Sequence, residues 1–124
     1  MAIKQKKRIL VVEDDEGMRF LLRDFFEEEG FEVETAEDGS KVVSKLIKKL
    51  FDLVITDIRM PGLSGLEILS TLKQIQPGIT VVVITAFGSK DVRNRTLARG
   101  ADAYLEKPIQ LEKLKSLVNQ LISP

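Results

Sequence analysis

The 124-residue chain contains no cysteine, no histidine and no tryptophan. Without cysteine there are no disulfides, thiolate metal sites or thiol redox chemistry. Without histidine, Ser-His-Asp and Cys-His catalysis are excluded, and the chain cannot itself carry a phosphohistidine. The 19 Lys and Arg residues cancel the 19 Asp and Glu residues, so the basic surplus expected of a nucleic-acid binder is missing. No apolar run approaches the ~20 residues needed to span a bilayer. The opening MAIKQKKR leads into a short strand-like run rather than the apolar core of a signal peptide. The chemistry left open must use carboxylates, hydroxyls, lysine or a hard metal ion. The lack of cysteine and of a targeting segment points to the cytoplasm.

What is present is an ordinary globular mixture. Apolar residues at 44% and charged residues at 31% exclude a disordered tail, and the length suits one domain. Periodicity divides the chain into elements. Arg8–Val12 reads as a buried strand running into the acids Glu13, Asp14, Asp15 and Glu16, of which Asp15 or Glu16 caps the following helix. Met18, Leu21, Leu22 and Phe25 stripe that helix, and Gly30 stops it. Glu32–Ala36 alternates like an edge strand. Asp38-Gly39 forms a turn or cap, and Val42, Val43, Leu46, Ile47 and Leu50 stripe a second helix.

Leu53–Thr56 is a second buried strand ending on an acid, Asp57. The loop MPGLSG follows, and Ser64 caps a helix striped by Ile68, Leu72 and Ile75, which Pro77-Gly78 ends. Thr80–Thr85, rich in β-branched residues, is the strongest strand signal. Ser89 or Asp91 caps a weakly apolar, arginine-rich helix to Arg99, closed by Gly100. Ala103–Leu105 is a short strand, and Leu111, Leu114, Leu117, Val118 and Leu121 stripe the last helix.

Five strand-then-helix units predict an α/β fold, a doubly wound parallel sheet covered by helices on both faces. With Glu32–Ala36 and Ala103–Leu105 as edges, the strand order is 2-1-3-4-5, as in flavodoxin-like folds. Ligands of such sheets bind where the order reverses, at the carboxyl ends of strands one and three. Those ends carry Glu13, Asp14 and Asp57. Ionised carboxylates ~5 Å apart repel by roughly 3 kcal/mol per pair at an effective dielectric of about 20. Three of them require a proton or a cation among them. Oxygen-only ligands suit Mg²⁺, or Mn²⁺ in its place. Thr85 and Lys107 end the next two strands, and the set of acids, hydroxyl and ammonium matches a phosphoryl group beside a divalent cation.

VVEDD, VITDIRMPGLSGLE, VVVITAFGS and GADAYLEKP together resemble the receiver domain of two-component response regulators, over about residues 6–122. The resemblance implies one receiver domain over residues 1–124, of the chemotaxis-receiver or sporulation-phosphorelay type. It implies that Asp57 is the phosphoacceptor. Glu13, Asp14, Asp57 and the backbone carbonyl of Arg59 would be metal ligands. Thr85 and Lys107 would hold the phosphoryl group, and Thr85 and Tyr104 would be the switch pair. The Lys107–Pro108 peptide is expected to be cis, and small Ala86 to leave the phosphoryl group access. Arg59 and Phe87 would flank the site.

The implied function is Mg²⁺-dependent acceptance of a phosphoryl group from a sensor histidine kinase or a histidine phosphotransfer protein, followed by switching of the surface of strands and helices four and five. The chain would be a signalling domain, catalysing only its own phosphorylation and dephosphorylation. Partners would be a downstream effector or a fused output domain, with no nucleic acid and no membrane, and a weak dimer through the helix 4–strand 5–helix 5 face. With no effector sequence after LISP, either a stand-alone receiver or the excised receiver of a longer DNA-binding transcriptional regulator is expected. A Mg²⁺-dependent aspartyl-phosphate phosphohydrolase of dehalogenase type is the alternative, but it wants an acid where Arg59 stands. A flavin module needs a phosphate loop where this chain has EDDEG. A degenerate receiver would lack the full set of acids, Thr and Lys.

Overall fold

In the computed structural model, which describes residues 6–58 and 65–122, five parallel strands form one sheet in the order β2-β1-β3-β4-β5. The elements in chain order are β1 (Arg8–Val12), α1 (Glu16–Glu28), β2 (Glu32–Ala36), a 3-10 turn (Gly39–Lys41), α2 (Val42–Lys48), β3 (Leu53–Asp57), α3 (Gly65–Ile75), β4 (Thr80–Thr85), α4 (Lys90–Ala98), β5 (Ala103–Glu106) and α5 (Leu111–Leu121). The expected topology is thus the observed one. β3 and β5 each run one residue further than the apolar pattern suggests, taking in Asp57 and Glu106, and α4 stops one residue earlier, at Ala98. The loop 60–64, the Ser64 cap and the Arg59 carbonyl lie outside the described residues.

Alternation along the strands separates two cores. Ile9, Val11, Leu53, Ile55, Val82 and Ile84 face α1 and α5, where Leu22, Phe26, Leu114 and Val118 are buried. Leu10, Val12, Val54, Val81 and Val83 face the other way, against Val42, Leu46, Ile68, Leu69 and Leu72 of α2 and α3. The central strands are apolar on both faces because helices cover both.

Four expected stripe positions are open to solvent. Leu21, Ile47, Leu50 and Ile75 are exposed, whereas Phe26 and Leu69, absent from the expected stripes, are fully buried. At about 100° per residue, the buried arc of α1 centres on Leu22, which takes in Met18 and Phe26 and leaves Leu21 to one side. Burying Phe26 contributes about 2–3 kcal/mol. Ile47 lies about 100° round from the buried Leu46. Leu50 falls beyond the end of α2 and Ile75 is the last residue of α3, so neither has a following turn to cover it.

The helix ends follow local chemistry. Asp15 caps α1 by accepting the Met18 N–H at 2.7 Å, so the cap is Asp15 rather than Glu16. Ser89, not Asp91, caps α4 through the Val92 N–H at 3.1 Å. Gly30 and Gly100 follow α1 and α4 with φ of 98° and 107°, the left-handed conformation a glycine adopts without strain. Asp15→Ala should lower stability by about 1 kcal/mol. Urea titration would check this, and an unchanged midpoint would count against the cap. Among the described residues no helix is long and apolar enough to cross a membrane.

Candidate functional site

The alternation that builds the cores also sorts the polar residues at the carboxyl edge of the sheet. Asp57 ends β3 on the face of Leu53 and Ile55, the α1/α5 side. One residue past β1, Glu13 continues the parity of Ile9 and Val11. One residue past β5, Lys107 continues that of Ala103 and Leu105. Three strands thus deliver two acids and an ammonium to one spot. Thr85 and Tyr104 carry the opposite parity, on the side of α2 and α3.

Glu13 is fully buried and Asp57 nearly so, at 5% exposure, while Asp14 is exposed. One carboxylate oxygen from each lies within 4.8 Å of the others. The Lys107 Nζ donates to Glu13 Oε1 at 3.0 Å, to Glu13 Oε2 at 3.2 Å and to Asp57 Oδ2 at 2.8 Å. Three carboxylates and one ammonium leave two formal negative charges in excess. An acidic, oxygen-only cluster with one exposed member fits a hard divalent cation that keeps some of its waters.

Burial pushes the Glu13 carboxyl above its usual 4.5, and the bonds from Lys107 offset this only in part. Burial disfavours the charge on Lys107 too, but its bonds to Asp57 and Glu13 outweigh that and raise its pKa, so the ammonium stays charged. The folded chain therefore binds the Glu13 proton at a higher pH than the unfolded chain. Acidification toward 4.5 favours folding through this group while taking a negative charge from the acidic cluster. If Mg²⁺ binds the cluster, the increase in melting temperature it brings should shrink as pH falls from about 7 toward 5. Differential scanning calorimetry with and without the ion tests this, and a gain independent of pH would contradict it.

Thr85 is fully buried, and its Oγ1 accepts the Phe87 N–H at 3.1 Å, so its hydroxyl hydrogen is the group's donor. The Thr85 carbonyl accepts the Lys107 N–H at 2.8 Å, and the Lys107–Pro108 peptide is cis as expected. Tyr104 packs against the α2/α3 core. Its hydroxyl is buried, rather than exposed as on an ordinary edge strand. Burial, helped by the nearby Glu106 charge, raises its pKa.

Two contributors escaped the sequence reading. Arg19 Nη1 donates to the Glu13 carbonyl at 3.0 Å, returning from the first turn of α1 to the end of β1. Only its position one helical turn beyond the cap hinted at this reach. Gly88 has no signal in a single sequence, yet a Cβ there would meet the Tyr104 Oη at 2.2 Å and Glu106 Oε1 at 2.6 Å. Gly88→Ala should displace the Tyr104 ring. Tyr104 is the chain's one tyrosine and there is no tryptophan, so tyrosine fluorescence reports this residue alone. An emission spectrum and quenching identical to wild type would show that the ring stays in place.

The comparisons agree with this geometry. Residues 9–119 match the family profile described as the response regulator receiver domain. The sporulation initiation phosphotransferase F of Bacillus subtilis is 32% identical over 94% of this chain and 94% of its own length. The DNA-binding transcriptional regulator NtrC of Salmonella typhimurium is 34% identical over 96% of this chain, but over 25% of its own length. The crystal structure of the response regulator protein TrrA of Thermotoga maritima in complex with Mg²⁺ and BeF superposes with a TM-score of 0.84 at 37% identity, covering 94% of this chain and 99% of TrrA. With its sheet order, its acidic cluster and its profile match in agreement, the chain belongs to the response regulator receiver domains, signalling modules that accept a phosphoryl group.

Proposed function

We propose that Asp57 is the residue that accepts the phosphoryl group, in a site completed by Mg²⁺, or Mn²⁺ in its place, on Glu13, Asp14, Asp57 and the Arg59 carbonyl. The observation that carries this reading is the convergence of three acids and Lys107 from the ends of three strands on one half-buried spot. A bound Mg²⁺ supplies charge neutralisation for the incoming phosphoryl oxygens. Asp57 Oδ attacks phosphorus in line. The P–O bond forms as the P–N bond of a phosphohistidine on the donor breaks, and the electron pair leaves with the imidazole nitrogen. Lys107 exchanges its carboxylate contacts for a phosphoryl oxygen, and the Thr85 hydroxyl donates to another. Hydrolysis reverses the gain, when water attacks phosphorus and the Asp57 carboxylate departs.

The donor is a sensor histidine kinase or a histidine phosphotransfer protein, since the chain has no histidine of its own. Thr85 and Tyr104 share one face of adjacent strands, which supports reading them as the pair that passes occupancy of Asp57 to α4, β5 and α5. Driving such an equilibrium from 1:99 to 99:1 takes about 5.5 kcal/mol of differential binding. That surface would meet a downstream effector or pair weakly with a second copy, in the cytoplasm. The chain spans a quarter of NtrC, which supports a second reading of residues 1–124 as the receiver of a longer DNA-binding regulator.

Incubation with acetyl phosphate, followed by intact-mass measurement, tests the proposal. One added phosphoryl group is expected with Mg²⁺ and none with EDTA, and metal-independent or multiple additions would overturn it.

A further inference from the structure

We infer that Arg19 is a positioning residue of the metal site, which holds the loop between β1 and α1 so that Glu13 and Asp14 present their carboxylates together. This rests on the proposed metal site and adds a member that touches neither metal nor phosphoryl group. The loop leaves the sheet at Glu13, the one fully buried acid of the cluster. Its backbone is fixed at both polar groups. The Glu13 N–H donates to the Ala36 carbonyl of β2 at 3.1 Å, and the Glu13 carbonyl accepts from Arg19 Nη1 at 3.0 Å. The same Nη1 lies 3.5 Å from the Asp14 carbonyl. One guanidinium nitrogen therefore spans the two consecutive peptides from which both ligands hang.

Arg19 is itself anchored. It lies in the first turn of α1, where its N–H donates to the Asp15 carbonyl at 2.9 Å, and its guanidinium sits over the Phe20 ring, 5.0 Å from the centroid. Arg23 stacks on the same ring at 4.6 Å but makes its ion pairs with Asp24 and Glu27. Arg23 thus shares the aromatic anchor without reaching the loop, which makes it an internal control. A buried carbonyl that loses a charged donor must be solvated or move. Here movement carries the carboxylate of the same residue with it, as happens when groups that orient a metal ligand are removed.

Charge and positioning predict opposite signs. A guanidinium beside a cation site repels the cation, so if Arg19 acted through its charge alone, removing it would tighten metal binding. If it acts by holding the loop, removal weakens binding. The probe is Mn²⁺, followed by the loss of its free-ion electron paramagnetic resonance signal, with Mg²⁺ competition to confirm the site. Arg19→Met is expected to weaken Mn²⁺ about tenfold, and Arg19→Lys, which keeps the charge but not the fork, about threefold. Arg23→Met should bind as wild type. Thermal melting of each variant establishes that it is folded at the titration temperature. Where Arg19→Met is not, the comparison of Arg19→Lys with wild type decides. Wild-type or tighter affinity in a folded Arg19 variant overturns the inference alone. Absence of saturable Mn²⁺ binding by the wild-type chain overturns both this inference and the metal site beneath it.

Discussion

Asp57→Asn is expected to take up no phosphoryl group from acetyl phosphate at any Mg²⁺ concentration, yet to melt no lower than wild type in EDTA. The first result follows from removing the attacking oxyanion, since an amide oxygen is not a nucleophile toward phosphorus at neutral pH. The second separates this site from a structural ion pair. The Lys107 Nζ attracts the Asp57 carboxylate at 2.8 Å, and Glu13 and Asp14 oxygens within 4.8 Å repel it. At an effective dielectric of about 20 the attraction is worth about 6 kcal/mol and each repulsion at least about 3 kcal/mol, so the two neighbouring acids offset the Lys107 ion pair. Asparagine also escapes the cost of burying a charge, and its carbonyl can still accept from Lys107. Intact-mass and calorimetric measurements on the same sample test both halves. A variant that is phosphorylated, or that loses several degrees, would contradict the role assigned to Asp57.

Lys107→Met should do the reverse. Lys107 pairs with the carboxylates of Glu13 and Asp57, and its side chain is 19% exposed against 0% for Glu13. Its loss leaves a buried carboxylate facing two more acids. Breaking a buried pair costs about 3–5 kcal/mol, and the partial exposure of Lys107 places the expected loss near 2–3 kcal/mol without metal. Protonation of Glu13, whose pKa is already raised, limits the penalty. Mg²⁺ should restore much of the lost stability, because the ion then replaces the missing positive charge without competing with an ammonium. The increase in melting temperature on adding Mg²⁺ should therefore be larger in the variant than in wild type. An equal or smaller increase would show that Lys107 and the metal do not contend for the same oxygens. The same variant, once phosphorylated, should leave Tyr104 fluorescence unchanged where the wild type responds.

These two substitutions concern residues that a single sequence already marks. Glu13, Asp57, Thr85 and Lys107 stand at or just past the ends of strands, and strand parity determines which of them meet. Glu13, Asp57 and Lys107 continue the alternation of Val11, Ile55 and Leu105, so a correct parallel register brings them together. Strand extents and order were legible because the central strands are apolar on both faces and bounded by acids, glycines and prolines. Helix faces were less legible. The stripe of α1 misplaced Leu21 and missed Phe26 because two adjacent arcs are both apolar and only the neighbouring sheet and α5 select between them. Ile47 lies off the buried arc of Leu46, and Leu50 lies past the end of α2, which stops sooner than the apolar spacing suggests.

Least legible were contacts made by the far ends of long side chains and by the absence of one. Arg19 reaches the Glu13 carbonyl across the cap of α1, a contact that depends on the loop geometry and not on periodicity. Gly88 matters through what stands beside it, the Tyr104 hydroxyl and the Glu106 carboxylate, which belong to another strand. Residues of both kinds tune a site whose principal groups the strand ends supply.

The central claim is that the acids at these strand ends serve a single acceptor, Asp57. Borohydride reduction of the phosphorylated chain, followed by peptide mapping, tests it most directly, because hydride converts an aspartyl phosphate to homoserine. Homoserine is expected at residue 57 alone, in samples treated with acetyl phosphate and Mg²⁺. Homoserine at Asp14 or elsewhere, or an unmodified residue 57 in a chain that has gained a phosphoryl group, would contradict it.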